Sequence, residues 1–496
     1  AATAAMQSRH MNAEALPGTE RRSLLRPGEN VWRTAHAHRA AVLVDGADYY
    51  ASLDQALRSA RRSIMILGWD FDHRIRLRPD EPSSPQVGEL LRSLVEANEE
   101  LEVRVLVWSV AVVHAPSEPS QLLLGADWER HPRINVKLDT FHPIYAAHHQ
   151  KIVVVDDRIA FVGGMDLTVR RWDRRPHAVD EPARVSPEGQ PYLPIHDVQM
   201  AVDGEAAVAV GDLARERWRN ATRETLEPTL CDAAHPHPWP QDLTPHFRSE
   251  RVGLARTLPA CGPQAPVSEV ERLTRDALRA ARRMLYIEQQ YMTAPFVGEI
   301  LHEHLANPDG PDVMIVMTHQ SRGLAERFVM GKNRDRLIRG LKRADRHDRL
   351  RVCYPVLRDG DARTQVMVHS KLMIVDDTLL RVGSANLNNR SMGLDTECDL
   401  VIEGLREDTR RAIAGTRWRL LGEHLGVEPD EIEAATESLG SMVAAIDSLN
   451  TGARGMACFE ALTTPGPVAP VACTALLDPC RPFEPLWFLK RKKQKP

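Results

Sequence analysis

An α/β fold, built twice in one chain, is what this sequence predicts. Three observations carry that reading. Segments of helical periodicity alternate with short, apolar, β-branched runs. A motif of the form H-x-K-x4-D occurs twice, as His149-Gln150-Lys151-Ile152-Val153-Val154-Val155-Asp156 and as His369-Ser370-Lys371-Leu372-Met373-Ile374-Val375-Asp376. The blocks flanking the two copies recur in the same order, which marks an internal duplication.

Taken in order, residues 1–35 read as a disordered or processing segment and are set apart from the fold. Leu53 to Arg62 has the spacing of an amphipathic helix and leads into a strand from Ser63 to Asp70. A second helix, Gly88 to Asn98, and a strand, Val103 to Val107, follow. Ala56 to Arg62 recurs as Ala277 to Arg283, and Asp197 to Gly204 recurs as Glu397 to Gly404. Arg217-Trp218 recurs as Arg417-Trp418. The offset steps down after the motif, so the first half carries roughly 20 extra residues there. They fall in Arg174 to Pro194, a stretch rich in Pro, Arg and Glu that suits either a binding loop or a passive insertion. Residues 221–250, with Pro228, Pro236, Pro238, Pro240 and Pro245, read as the linker between halves. The catalytic halves are therefore 36–220 and 251–430. Residues 431–496 read as a helical extension and an irregular basic tail, with helix expected from Pro429 to Asn450 and no pattern from Thr451 onward. The tail ends in Leu486 to Lys495, an aromatic-apolar cluster beside a basic run. That composition suits docking on an anionic membrane surface or plain solvation.

The charge is nearly balanced, at −4, with a pI near 6.6. A general nucleic-acid binder shows a basic footprint, so that class is disfavoured. No apolar run is long enough to span a bilayer, and no signal peptide is visible. A soluble protein, peripheral on membranes and either cytoplasmic or exported, is expected. Seven cysteines show neither metal-ligand spacing nor a disulfide framework, and Cys473 with Cys480 is the one pair close enough to consider.

The motif explains its own residue choice. Positions two apart on a strand share a face, so His and Lys of each copy point together, with Gln150 or Ser370 turned away. A neutral imidazole can attack phosphorus or, once protonated, give a proton near neutral pH. An ammonium beside it holds phosphate oxygens. Two such strands supply both ends of an in-line displacement, and the chemistry calls for no metal and no cofactor. Lysine usage adds weight: outside the tail the chain has only Lys137, Lys151, Lys332, Lys342 and Lys371, and two of those five lie in the motifs. The motif residues His149, Lys151, Asp156, His369, Lys371 and Asp376 are the candidates for the catalytic set. Within it, Asp156 and Asp376 point away by parity and are expected to form salt bridges. Asp197 and Glu397, at matched repeat positions, could each accept a hydrogen bond from an imidazole and fix its tautomer. Glu288 is a further candidate supporting carboxylate, with a surface role equally open.

These residues resemble the phospholipase D superfamily, closest to its eukaryotic-type and bacterial phospholipases. Gly163-Gly164-Met165-Asp166-Leu167, Arg171-Trp172-Asp173 and His196-Asp197 look like the first half of such an enzyme. Ile287-Glu288-Gln289-Gln290-Tyr291 and the run Gly383 to Met392, continuing to Asp395 and Glu397, look like the second. The resemblance spans about residues 40–430, and the Arg- and Ala-rich composition fits a bacterial source. It implies two pseudo-symmetric α/β halves packed face to face, with the active site at their interface. It implies that one histidine forms a phosphohistidine and the other protonates the leaving alcohol and then activates water or a second alcohol. His149 is taken as nucleophile and His369 as acid/base. Lys151, Lys371, Ser384 and Asn386 would bind phosphate. Asp166 stands where the second half has Asn386, and a carboxylate suits orienting other groups better than holding phosphate.

The expected function is hydrolysis of glycerophospholipids such as phosphatidylcholine to phosphatidic acid and headgroup, with transfer to small alcohols. The expected partners are a phospholipid at a membrane surface and water or alcohol as acceptor, with no nucleic acid, and a monomer. A phosphatidyl transferase of cardiolipin synthase type is the alternative, followed by a nucleic-acid phosphodiesterase.

Overall fold

The β-branched runs form the centres of two sheets with the same strand order. The structure is a computed structural model that describes residues 23–108, 126–229, 235–319, 331–360, 362–463, 465–470 and 478–481. The first sheet runs Ile134–Asp139, Glu102–Trp108, Ser63–Gly68, Ile152–Val155, Ile159–Gly163, Val198–Asp203 and Arg33–Val44. The second runs Leu350–Asp359, Asp312–Met317, Met284–Gln289, Leu372–Val375, Leu379–Gly383, Glu397–Glu403 and Phe247–Leu258. In both, the first three strands are parallel and the rest antiparallel. The two last-named strands, Arg33–Val44 and Phe247–Leu258, pair antiparallel and join the sheets.

Strand parity then builds the layers. Ile152 and Val154 from one half share a core with Leu372 and Ile374 from the other. Val153 and Val155 face the opposite way, into the core beneath the helices Asp45–Arg58 and Val87–Ala97. Met373 and Val375 do the same beneath Glu269–Ala280 and Pro295–Ala306. The halves thus pack sheet against sheet with helices outside. Two longer helices, Gly204–Thr222 and Glu407–Leu425, add Leu213, Trp218, Leu420 and Leu421 to the shared core. Among the described residues no helix is long and apolar enough to cross a membrane.

Three expectations need correction. The segment set apart as 1–35 is folded from Ser23 onward: Leu25 and Val31 are buried, and the Leu24 amide donates to Glu403. The last residues of the proposed linker already belong to the strand Phe247–Leu258. The chain beyond Thr451 regains order as the edge strand Arg454–Cys458, antiparallel to Leu350–Asp359. Its sequence, Arg-Gly-Met-Ala-Cys, has neither alternation nor β-branched residues, so local pattern could not reveal it. That pairing sets Cys353 opposite Cys458 with their sulfurs 3.5 Å apart. Residues 1–22, the aromatic-basic tail from 482 on, and Cys473 lie outside the described residues; Cys480 is an exposed free thiol.

The aspartates that close the two motifs, expected to form salt bridges, form none among the described residues; their carboxylates hold backbone amides instead. Asp156 accepts the backbone amides of Arg61, Arg62 and Ser63 at 2.7–2.8 Å. Asp376 does the same for Arg282, Arg283 and Met284. Each carboxylate pins the turn that leads from a helix into the strand beside its own. Both sit at left-handed φ (57° and 48°), which Asp tolerates better than most residues. Asp156→Ala orphans three amides at about 1 kcal/mol or more each, so a loss of about 3 kcal/mol is expected. A thermal melt checks this, and an unchanged midpoint would contradict the assigned role.

Candidate active site

The two His-x-Lys segments lie just before their strands, in extended chain, rather than within them. Each is tied to the opposite half. His148 bridges Thr396, and the His149 amide donates to the Thr396 carbonyl at 3.1 Å. In the mirror position Met367–Val368 pairs with Ile195–His196, and the His369 amide donates to the His196 carbonyl at 2.8 Å.

The side chains follow the same crossing. His149 Nδ1 lies 3.1 Å from both oxygens of Glu397, and His369 Nδ1 lies 2.7 Å from Asp197 Oδ2. Each half therefore supplies a histidine to the other half's carboxylate. Glu397 is fully buried and held by the hydroxyls of Ser384 (2.5 Å) and Ser391 (2.6 Å). Ser384, expected at the phosphate, thus stands behind the imidazole instead, its hydroxyl committed to a carboxylate. On the other side, Asp197 fits only because residue 164 is glycine: a Cβ there would stand 2.1 Å from Asp197 Oδ1.

The lysines are unequal. Lys151 Nζ pairs with the buried carboxylate of Asp166 at 3.1 Å, and Asp166 also accepts the Trp69 amide. Lys371 has an uncharged partner, Gln290 Oε1, at 3.1 Å. Both ammonium groups also donate to the carbonyl of the histidine two residues earlier. Asn386, the counterpart of Asp166, is buried, and its side-chain oxygen has no hydrogen-bond partner among the described residues. Gln150 is used for another purpose, accepting from Arg217 Nη1 at 2.6 Å.

Burial and the surrounding cations set the protonation states. Burial, then Lys151 and Lys371, holds His149 well below the ordinary histidine range. Burial, then Lys371 and Arg171, does the same to His369. Each imidazole thus feels the lysine of the other half as well as its own. Burial pushes Glu397 up to about 7 and Asp197 up to about 6. It also draws Lys371 down to about 7, with the Lys151 charge adding to the effect. Burial and the two lysines thus favour the neutral form of both imidazoles, and a bound anion would favour the protonated form.

Glu288 lies deeper than expected. It is fully buried and touches neither motif histidine; it accepts from Tyr286 and faces His196 Nε2 and His424 Nε2, each at 3.0 Å. Sequence reasoning gave no role to Gln290, Ser391 or Thr396, although the first two stood inside the blocks quoted above. A cavity of about 330 Å³ is lined by Arg74, Arg170, Arg171, Trp172, Val185 and Tyr192; it contains none of the motif residues, and Arg171, which acts electrostatically on His369, links it to the site. The extra loop at 174–194 thus contributes to its wall.

Two duplicated halves that exchange histidine–carboxylate pairs define a class of proteins with one composite His-Lys site. The chain belongs to the phospholipase D superfamily. The Phospholipase D family model matches residues 56–249, and the Cardiolipin synthase, PLD-like domain model matches residues 274–412. The chain is 26% identical over 458 residues to phospholipase D A of Dictyostelium discoideum, covering 78% of this chain and 35% of that protein. It is 25% identical over 540 residues to phospholipase D alpha 1 of Oryza sativa subsp. japonica, covering 80% of this chain and 66% of that one. The chain thus spans about a third of the first relative and just under two thirds of the second. Phosphatidylserine synthase of Haemophilus influenzae Rd KW20 has the same fold, with a TM-score of 0.55 and 15% identity, over 79% of this chain and 88% of that one.

Proposed function

We propose that this protein is a phospholipase D that cleaves the distal phosphodiester of glycerophospholipids through a phosphohistidine. The observation that carries the reading is the crossed pairing of His149 with Glu397 and His369 with Asp197, each beside a lysine. His149 keeps 18% of its side chain exposed against 8% for His369, which suits the nucleophile. Its Nε2 attacks phosphorus while Glu397 holds Nδ1. Lys371, which has no carboxylate partner among the described residues, is the main phosphate clamp, aided by Asn386 and by Lys151. The anionic phosphate raises the pKa of His369, which then protonates the departing headgroup alcohol. The same imidazole, now neutral, deprotonates water or a small alcohol, and that oxygen displaces His149 from phosphorus. The products are phosphatidic acid or a phosphatidyl alcohol, and the arginine-lined cavity is where headgroup choice is made.

A second reading, a phosphatidyl transferase, is favoured by the match of the second half to the Cardiolipin synthase, PLD-like domain model. Incubation with phosphatidylcholine vesicles, phosphatidylglycerol vesicles and plasmid DNA, each with ethanol present, separates the readings. Phosphatidylethanol from phosphatidylcholine is the expected product. Cardiolipin from phosphatidylglycerol alone would favour the transferase, and nicked DNA alone would overturn the lipid assignment.

The electrostatics predict the pH profile of kcat/KM. His149 stays neutral into acid, but the Glu397 carboxylate that holds its Nδ1 is raised by burial to about 7, so the acid limb lies near 7. Lys371 loses its charge as pH rises through about 7, so the alkaline limb lies near there. Lys371→Arg keeps the charge and moves that limb upward, at some cost in rate. An alkaline limb that stays in place would mean another group controls it.

A further inference from the structure

One pair of side chains outside the active site is placed for chemistry of its own. Cys353 and Cys458 stand directly opposite each other on the antiparallel strands Leu350–Asp359 and Arg454–Cys458. They are 105 residues apart in the chain, yet their sulfurs are 3.5 Å apart. Both are free thiols. We propose that they form a reversible redox site: a low-molecular-weight disulfide converts them to a Cys353–Cys458 bridge, and the corresponding thiol reopens it.

Backbone geometry is the first argument. The Phe459 amide donates to the Val352 carbonyl, and the Arg358 amide donates to the Ala453 carbonyl. Both contacts join residues directly opposite in the register of the cysteine pair, and both lie an odd number of positions from it. Hydrogen-bonded and non-hydrogen-bonded pairs alternate along an antiparallel ladder, so the cysteines form a non-hydrogen-bonded pair. Cα atoms of such pairs are about 4.5 Å apart with their side chains close together. That separation lies within the range a disulfide spans. Bond formation at about 2.05 Å then asks the sulfurs to close by about 1.5 Å, which side-chain rotation can supply.

The second argument is that the two thiols are unlike. Cys458 is exposed, whereas Cys353 is buried. A hydrogen bond from Cys353, then the charges of Arg351 and Lys342, bring Cys458 down to about 7 against the opposing effects of burial and Asp447. The same hydrogen bond and burial hold Cys353 well above the ordinary thiol range. An accessible thiolate with a buried thiol against it is the arrangement of an attacking and a resolving cysteine. The Cys458 thiolate attacks one sulfur of the small disulfide RSSR and expels RS⁻, leaving a mixed disulfide. Cys353 loses its proton, attacks Cys458 Sγ and expels the second RS⁻. The protons of the two cysteines end on two RSH, and the two electrons the cysteines lose reduce RSSR.

The third argument is what the bridge would hold. Among the described residues, Arg454–Cys458 pairs with no strand but Leu350–Asp359. Its first residue, Arg454, donates to the carbonyl of Arg175 in the extra loop, and its Nη2 is 3.5 Å from Glu423. Oxidation would fasten this strand, and its hold on that loop, to the sheet of the second half.

The test uses the full chain, equilibrated with oxidised or reduced glutathione and quenched with an alkylating reagent. After oxidation, peptide mapping should find Cys353 joined to Cys458 with the loss of two hydrogens. The melting temperature should rise by about 5 °C or more, because the bridge closes a long loop. Dithiothreitol should reverse both changes. Cys353→Ser should leave Cys458 as a lasting adduct with glutathione, and Cys458→Ser should give neither bridge nor shift. Should either variant fail to fold, the peptide map of the unsubstituted chain still decides. An oxidised chain in which both thiols still take the reagent, or in which Cys458 is joined to another cysteine, would overturn the proposal. So would a bridge that dithiothreitol does not reopen.

Discussion

Replacing His149 or His369 by alanine should lower phosphatidylcholine turnover by about four orders of magnitude or more, and replacing both should lower it little further. Groups that act in one displacement are not additive: once either is gone, the other has nothing to cooperate with. His149 without an acid partner would expel an alkoxide, a poor leaving group. His369 without a nucleophile has no bond to assist. Initial rates on vesicles, with a melting curve for each variant, check the result. If one single variant kept more than about a hundredth of the rate, that histidine would not be in the reaction path. The structure sharpens the expectation, because His149 and His369 each lie within electrostatic reach of the other half's lysine.

The duplication was readable in the sequence because both copies preserve chemistry that tolerates little change. Motif and turn recur at one offset and the carboxylates at another, after the insertion, in the same order, and the strand order repeats in the same way. What could not be read is which partner each residue takes. Asp197 lies 48 residues from His149 but binds His369; Glu397 lies 28 residues from His369 but binds His149. Pairing across a pseudo-twofold interface leaves no trace in local spacing. The repeat alignment also misled in detail. Arg217 aligns with Arg417, yet Arg217 reaches Asp139 and Gln150, while Arg417 holds Asp377. The counterpart of that last contact is Arg215 with Asp157. A shift of two residues on a helix turns the side chain to another face.

The crossed carboxylates give the other large effect. Glu397→Gln and Asp197→Asn should each lower turnover by about 10²–10⁴-fold, because an amide neither stabilises an imidazolium nor enforces one tautomer. The volume change is negligible, so melting temperatures should move much less than rates. The two variants should differ in which step they damage. A phosphodiester with a nitrophenolate leaving group departs without a proton donor. On that substrate Asp197→Asn and His369→Ala should form the covalent intermediate and then stall, because only water activation is impaired. Glu397→Gln and His149→Ala should release no initial burst of nitrophenolate, because the attacking nitrogen itself is compromised. Rapid-quench measurement of the burst separates the pairs. The opposite pattern would exchange the roles of the two histidines while leaving the crossed geometry intact. Bursts grouped by half, with His149 behaving like Asp197 and His369 like Glu397, would show that each carboxylate serves its own half and that the crossed contacts are not the working ones.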